Sequence, residues 1–160
     1  MLDRFSLLDP RLALSSCPRT VEDIDLLSGV HGVTAVVNLQ TDRDLEERGL
    51  RWETLWQLYL ARGVQAVRVP IADFDKKALL RGLDGAVDAV RAQVAAGRRV
   101  LVHCNAGVNR STTTVVAYLV CDREMAIDEA VSWVVERHPA AEPFPDVVAR
   151  WAKKRGLGRR

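Results

Sequence analysis

Between Arg99 and Val120 the apolar pattern of the chain changes once, and the change confines a short loop between a buried strand and a buried helix. Arg99-Val100-Leu101-Val102-His103 is a compact β-rich run, of the length and composition of a strand covered on both faces. The stretch from about Ser111 to Val120 is longer and apolar throughout, and it reads as a helix. A strand covered on both faces and followed at once by an apolar helix belongs to an α/β layer architecture.

The rest of the chain repeats the alternation. Arg11 to Leu14 is a short strand candidate, Thr20 opens a helix with Glu22 and Asp23 in its first turn, and Thr34 to Leu39 is a β-branched strand. Trp52 to Arg62 reads as a helix, with Trp52, Trp56, Tyr59 and Leu60 near one stripe that suits core packing. Val64 to Val69 is a further strand closed by Pro70. Leu79, Leu83, Val87, Val90 and Val94 then recur at helical spacing up to Gly97. Asp128 to Arg137 and Asp146 to Lys154 are two more helices. The expected fold is one α/β domain over residues 1–160, its core about 10–152, with a central, largely parallel sheet flanked by helices.

Composition narrows the function by exclusion. Apolar residues make up 48% and charged residues 28% of the 160, and the net charge is +2, too small to argue for nucleic acid or a membrane surface. The basic residues Lys153-Lys154-Arg155 and Arg159-Arg160 read as a solvated end. Cys17, Cys104 and Cys121 have neither the pairing of a disulfide framework nor the spacing of a metal site. With no signal-like apolar run at the start, a reducing cytoplasm is the expected compartment, and neither metal nor cofactor is expected.

The loop itself is His103-Cys104-Asn105-Ala106-Gly107-Val108-Asn109-Arg110-Ser111. Its interior residues are small or short, so the backbone from Asn105 to Asn109 can curl with successive N–H groups pointing inward, a nest for a phosphate ion. The following helix adds the positive end of its dipole. A thiol in that field loses its proton easily, so Cys104 is expected to attack phosphorus as a thiolate. Arg110 offers a planar fork of donors for two phosphate oxygens. Ser111 can hydrogen-bond the departing sulfur, Gly107 permits unusual backbone angles, and His103 is expected to orient the loop. The second requirement is an acid for the leaving oxygen. Asp73 and Asp75, in Ile71-Ala72-Asp73-Phe74-Asp75, both follow a strand and open on the same face of a parallel sheet as Cys104.

His-Cys-x5-Arg-Ser is the signature of cysteine phosphatases, and the chain resembles the dual-specificity phosphatase family from about Leu12 to Trp151. Asn38-Leu39-Gln40-Thr41-Asp42 with Asp44-Leu45, the Asp73-Phe74-Asp75 segment, Cys104 to Val108, and Glu136-Arg137-His138-Pro139 are most similar to its glucan phosphatase branch, the laforin and plant starch-excess types. The resemblance implies Cys104 as nucleophile, Arg110 as phosphate ligand, Asp73 rather than Asp75 as general acid, and hydrolysis through a phosphocysteine. Asn109 departs from the glycine of that branch, a place where asparagine tolerates left-handed angles. The chain leaves no room for the branch's carbohydrate-binding module, so the expected substrate is a phosphoprotein, with phosphoglucan as the alternative and a catalytically inactive phosphate-binding scaffold behind it. Phe74 and Trp52 are the candidate substrate contacts.

Overall fold

In the computed structural model, which describes residues 2–157, a five-stranded sheet runs in the order β1-β2-β5-β3-β4. Strand β1 is Ser6–Asp9, β2 Leu12–Ser15, β3 Ala35–Asn38, β4 Gln65–Arg68 and β5 Val100–His103. From β2 to β4 every pairing is parallel, and only β1, folded back on β2, is antiparallel. Strand β1 has no counterpart in the sequence pattern, because Ser6 to Asp9 is too short and too exposed to alternate visibly. Met1 and residues 158–160, with the basic pair Arg159-Arg160, lie outside the described residues.

The side-chain period of two divides each central strand between two cores. Leu12 and Leu14, Ala35 and Val37, and Val100 and Val102 face one side, while Ala13, Val36 and Leu101 face the other. The first side is covered by α4 (Lys76–Ala95), α5 (Arg110–Asp122), α6 (Ile127–Arg137) and α7 (Pro145–Lys154). The second is covered by α1 (Val21–Asp25), which runs into a π-helical turn over Leu26–Val30, and by α3 (Trp52–Leu60). Between them, α2 (Asp42–Glu46) is a single turn started by a capping box, in which Thr41 and Asp44 each accept the other's backbone N–H.

Helix α5 is buried on nearly every side, as its all-round apolar sequence requires. The α3 stripe departs from expectation. Leu55 and Tyr59 face the core and Trp52 packs partly against it, whereas Trp56 and Leu60 are 42% and 58% exposed. Positions 52, 55 and 59 share one face at 3.6 residues per turn, and 56 and 60 drift off it.

The chain leaves β2 toward one core and β5 toward the other, and these strands are neighbours. Connections that diverge in this way open a crevice at the carboxyl ends of the strands. The segments after β2, β3, β4 and β5 all meet there.

Candidate active site

The loop from Cys104 to Asn109 follows β5 and is held almost entirely by its carbonyl oxygens. His103 Nδ1 donates to Cys104 O at 2.9 Å, the Cys17 N–H to Asn105 O at 2.9 Å, and Arg4 to Ala106 O at 3.0 Å. His138 Nε2 donates to Gly107 O at 2.8 Å, and the Glu142 N–H donates to Val108 O at the same distance. Thr113 Oγ1 closes the series on Asn109 O at 2.7 Å. With each carbonyl turned outward, none of the N–H groups of Asn105 to Asn109 donates to another backbone carbonyl among the described residues. They are thus left as donors of the kind an oxyanion takes.

Gly107 is where this curl depends on residue type. Its φ is +70°, and a Cβ there would stand 2.6 Å from Ser15 O. The loop is thus wedged against the end of β2. Asn109 has φ −110°, so the left-handed freedom expected of it is not used. Its side chain instead donates to Glu142 O at 2.7 Å.

Cys104 is 3% exposed, and its Sγ lies 3.4 Å from Ser111 Oγ. Arg110, at the first position of α5, is 2% exposed. Its NH1 donates to Asp44 Oδ2 and to Ile71 O, both at 2.7 Å. Nε carries no hydrogen bond, and NH2 has only the charge of Asp73 Oδ2 at 3.2 Å. One face of the guanidinium therefore fixes it, and the Nε–NH2 edge remains for a ligand.

Asp44 is the residue that the sequence reading quoted without a role. Its Oδ2 takes both Arg110 and the Thr41 N–H, and its Oδ1 takes Asn105 Nδ2 at 3.0 Å. Gln40 Nε2 donates to Asn105 Oδ1 at 2.9 Å, so the Asn105 amide is held at both ends. Burial pushes the Asp44 carboxyl upward, but the donated hydrogen bonds and the Arg110 charge more than offset it and hold the group down at about 2. The available signal was the Thr41-x-x-Asp44 capping pattern, which marks a helix start and leaves the second carboxylate oxygen free to serve elsewhere.

The two histidines beside the loop are neutral at pH 7. Burial is the main cause for His103, partly opposed by its bond to Cys104 and reinforced by the charge of Arg110, and the result is about 4. His138 is also lowered, chiefly by burial. Its Nε2–H then faces Gly107 O, and Nδ1 accepts from the Ser6 hydroxyl at 2.8 Å. His138 was quoted only as part of a helix end, and its contact with Gly107 lies 31 positions away.

Asp73 and Asp75 occupy different environments. Asp75 Oδ1 accepts the Ala78 N–H at 3.0 Å and caps α4, while Asp73 Oδ2 faces Arg110. Between them Phe74 has φ +55° and is 94% exposed, at the mouth of a cleft of about 360 Å3 that Asp73, Leu79, Asn109, Arg110 and Phe144 also line. Trp52 stands back from this cleft, packed against the second core with Arg68 over its ring at 5.7 Å.

The family model for the dual specificity phosphatase catalytic domain matches residues 17–149. Mouse laforin is 30% identical over 156 residues, which cover 91% of this chain and 47% of laforin. The chloroplastic phosphoglucan phosphatase LSF1 of Arabidopsis thaliana is 29% identical over 149 residues, 93% of this chain and 25% of that protein. The chain thus spans half or less of these curated relatives. Among solved structures, human DUSP28 superposes with a TM-score of 0.73 at 27% identity, over 96% of this chain and 95% of that one.

Proposed function

The chain belongs to the dual-specificity phosphatase family, and from that premise we propose that it hydrolyses phosphomonoesters through a phosphocysteine intermediate. What supports the proposal is that the N–H groups of Asn105 to Asn109 have no backbone acceptor, in a loop that also carries the buried Cys104 and ends at Arg110, whose Nε and NH2 are unbonded. In the first step the Cys104 thiolate forms a bond to phosphorus and the ester P–O bond breaks. Asp73 passes its proton to the leaving oxygen. In the second, water attacks phosphorus, Asp73 recovers a proton from it, and the P–S bond breaks. The departing thiolate accepts a hydrogen bond from Ser111. Arg110 and the loop N–H groups hold the three equatorial oxygens in both steps. His103, neutral and bonded to Cys104 O, orients the loop.

The preferred substrate is a phosphorylated side chain of a protein. The exposed Phe74 lines the cleft beside Arg110, where it can meet the chain that carries a serine, threonine or tyrosine phosphate. Phosphoglucan is the second reading, favoured by the same Phe74, since a sugar ring stacks on an aromatic face, and by the likeness to laforin and LSF1. Trp52, partly buried against the second core, is not among the residues that line this cleft. A thiolate nucleophile persists only where it stays reduced, which favours the cytoplasm; no helix among the described residues is long and apolar enough to cross a membrane. Cys104→Ser tests the mechanism: turnover should vanish while phosphate still binds, and hydrolysis near the wild-type rate would refute it. Phosphate release from phosphopeptides and from phosphorylated glucan, measured side by side, decides the substrate.

A further inference from the structure

Helix α4 carries two glycines in its first half, Gly82 and Gly85, although glycine weakens the interior of a helix. The two are not equivalent. A Cβ at Gly85 would lie 3.5 Å from Val69 Cγ1, an ordinary contact. A Cβ at Gly82 would lie 2.7 Å from Ile71 Cγ1 and 2.9 Å from Ile71 Cδ1, closer than packed carbon atoms approach. Position 82 stands three residues beyond Leu79 and four before Ala86, both of which are buried, so it shares the core face of the helix.

Ile71 has no room to retreat from such a methyl group. It is 2% exposed, and its branched, stiff side chain belongs to the close-packed first core. Its N–H donates to Leu39 O at 3.0 Å, which ties it to the segment after β3. Its carbonyl accepts from Arg110 NH1 at 2.7 Å. Two residues on, Asp73 Oδ2 stands 3.2 Å from Arg110 NH2. Pressure from α4, opposed by the bond to Leu39, is therefore passed to the Ile71 carbonyl and through Ala72 to Asp73. Arg110 NH1 has Asp44 Oδ2 as its other acceptor, so a displaced Ile71 carbonyl leaves the guanidinium free to pivot about that one carboxylate.

We propose that Gly82 is a positioning residue for the reaction: its missing side chain lets Ile71 sit against α4, and the seated Ile71 sets both the Arg110 guanidinium and the Asp73 carboxylate. The inference rests on the phosphatase reading and extends it to a helix residue that is not among those lining the cleft beside Arg110.

The test compares Gly82→Ala with Gly85→Ala. Both replace a helical glycine by the best helix former, so helix propensity moves the same way in each. Gly85→Ala should raise Tm by about 2–4 °C and leave kcat/KM as it is in the wild type. Gly82→Ala should lower kcat/KM on a phosphoserine peptide by roughly 10–100-fold, the scale of a misplacement of about 1 Å. The loss should be smaller on an activated aryl phosphate, whose leaving group needs no acid, and what remains there is the share of Arg110. Inorganic phosphate, titrated calorimetrically, should bind Gly82→Ala more weakly than the wild type. Ile71→Ala removes both atoms that the new methyl meets, so adding Gly82→Ala to it should change kcat/KM by no more than about twofold.

Wild-type kcat/KM in Gly82→Ala overturns the proposal, and so does unchanged phosphate affinity. An equal loss on the Ile71→Ala background also overturns it, since the methyl would then act elsewhere. If Gly82→Ala does not fold while the double variant folds and turns over as Ile71→Ala does, Gly82 serves stability alone and the positioning role falls. If the wild type hydrolyses neither ester, the phosphatase reading fails, and the phosphate titration of Gly82→Ala against the wild type still decides whether Gly82 sets Arg110.

Discussion

The loop from Cys104 to Asn109 and the Ala72–Asp75 segment meet at Arg110, and they are built in opposite ways. The first is pinned by hydrogen bonds to every carbonyl from Cys104 to Asn109, contributed by Arg4, Cys17, His103, Thr113, His138 and Glu142. The second has a buried stem and an exposed tip. Ile71 is bonded to Leu39 and to Arg110 and is buried against α4, while two residues on Asp73 is partly exposed and Phe74 stands in solvent on a left-handed backbone. The difference suits the roles proposed for them. A nest of N–H groups works only if none of them turns away, so its geometry is set at folding. An acid that must meet leaving groups of different size, and let product out, gains from a tip with few contacts.

The comparison is broken most directly at Gly107. Gly107→Ala should cost roughly 3 kcal/mol or more, since the left-handed angle and the contact with Ser15 O both oppose a Cβ. Urea denaturation should show a lower midpoint with an unchanged slope, together with a collapse of kcat. A variant of wild-type stability and activity would mean that the loop is not wedged against β2.

Next in size is Asp44→Asn. Removing the carboxylate from a buried guanidinium typically costs about 3–5 kcal/mol, moderated here by the acceptor that asparagine retains. Because the folded Asp44 carboxyl sits at about 2, below the roughly 3.9 of an unfolded chain, its stabilisation is complete above about pH 5 and is lost as pH falls through 4 toward 2. Stability curves of the variant should lack that acid-side loss. Its KM for phosphoesters should rise as Arg110 loses its orientation, and an unaltered KM would remove Asp44 from the site.

In the Ala72–Asp75 segment, Asp73→Asn should cost roughly 10²–10⁴ in kcat on phosphoserine, and less on an activated aryl phosphate whose leaving group needs no proton. Asp75→Asn should keep most activity on every substrate, because its carboxylate is spent on the Ala78 N–H. A larger loss at Asp75 would move the acid. The smallest effect is expected at Phe74→Gly. Relief of the left-handed angle should raise Tm slightly, by no more than about 1 kcal/mol of stability. KM should rise for a peptide or glucan and stay level for a small aryl phosphate. Equal KM changes on both would deny Phe74 a substrate contact.

What the sequence by itself determined lies within short reach along the chain. Val100 to Val120 specifies strand, loop and helix through a change of apolar period, and Cys104, Arg110 and Ser111 stand there at the His-Cys-x5-Arg-Ser spacing that resembles the cysteine phosphatases. The parallel sheet and the α4 face of Leu79, Leu83, Val87 and Val90 follow from the same periodicities. The tertiary structure alone decided which residues hold those groups in place. Asp44 reaches Arg110 across 66 positions, His138 reaches Gly107 across 31, and the Ser15 carbonyl makes Gly107 obligatory. It also separated Asp73 from Asp75, and turned Trp56 and Leu60 outward on α3. The physical reason is that periodicity records which side of an element is buried, whereas the partner of a polar atom depends on which segments the sheet order brings to one edge.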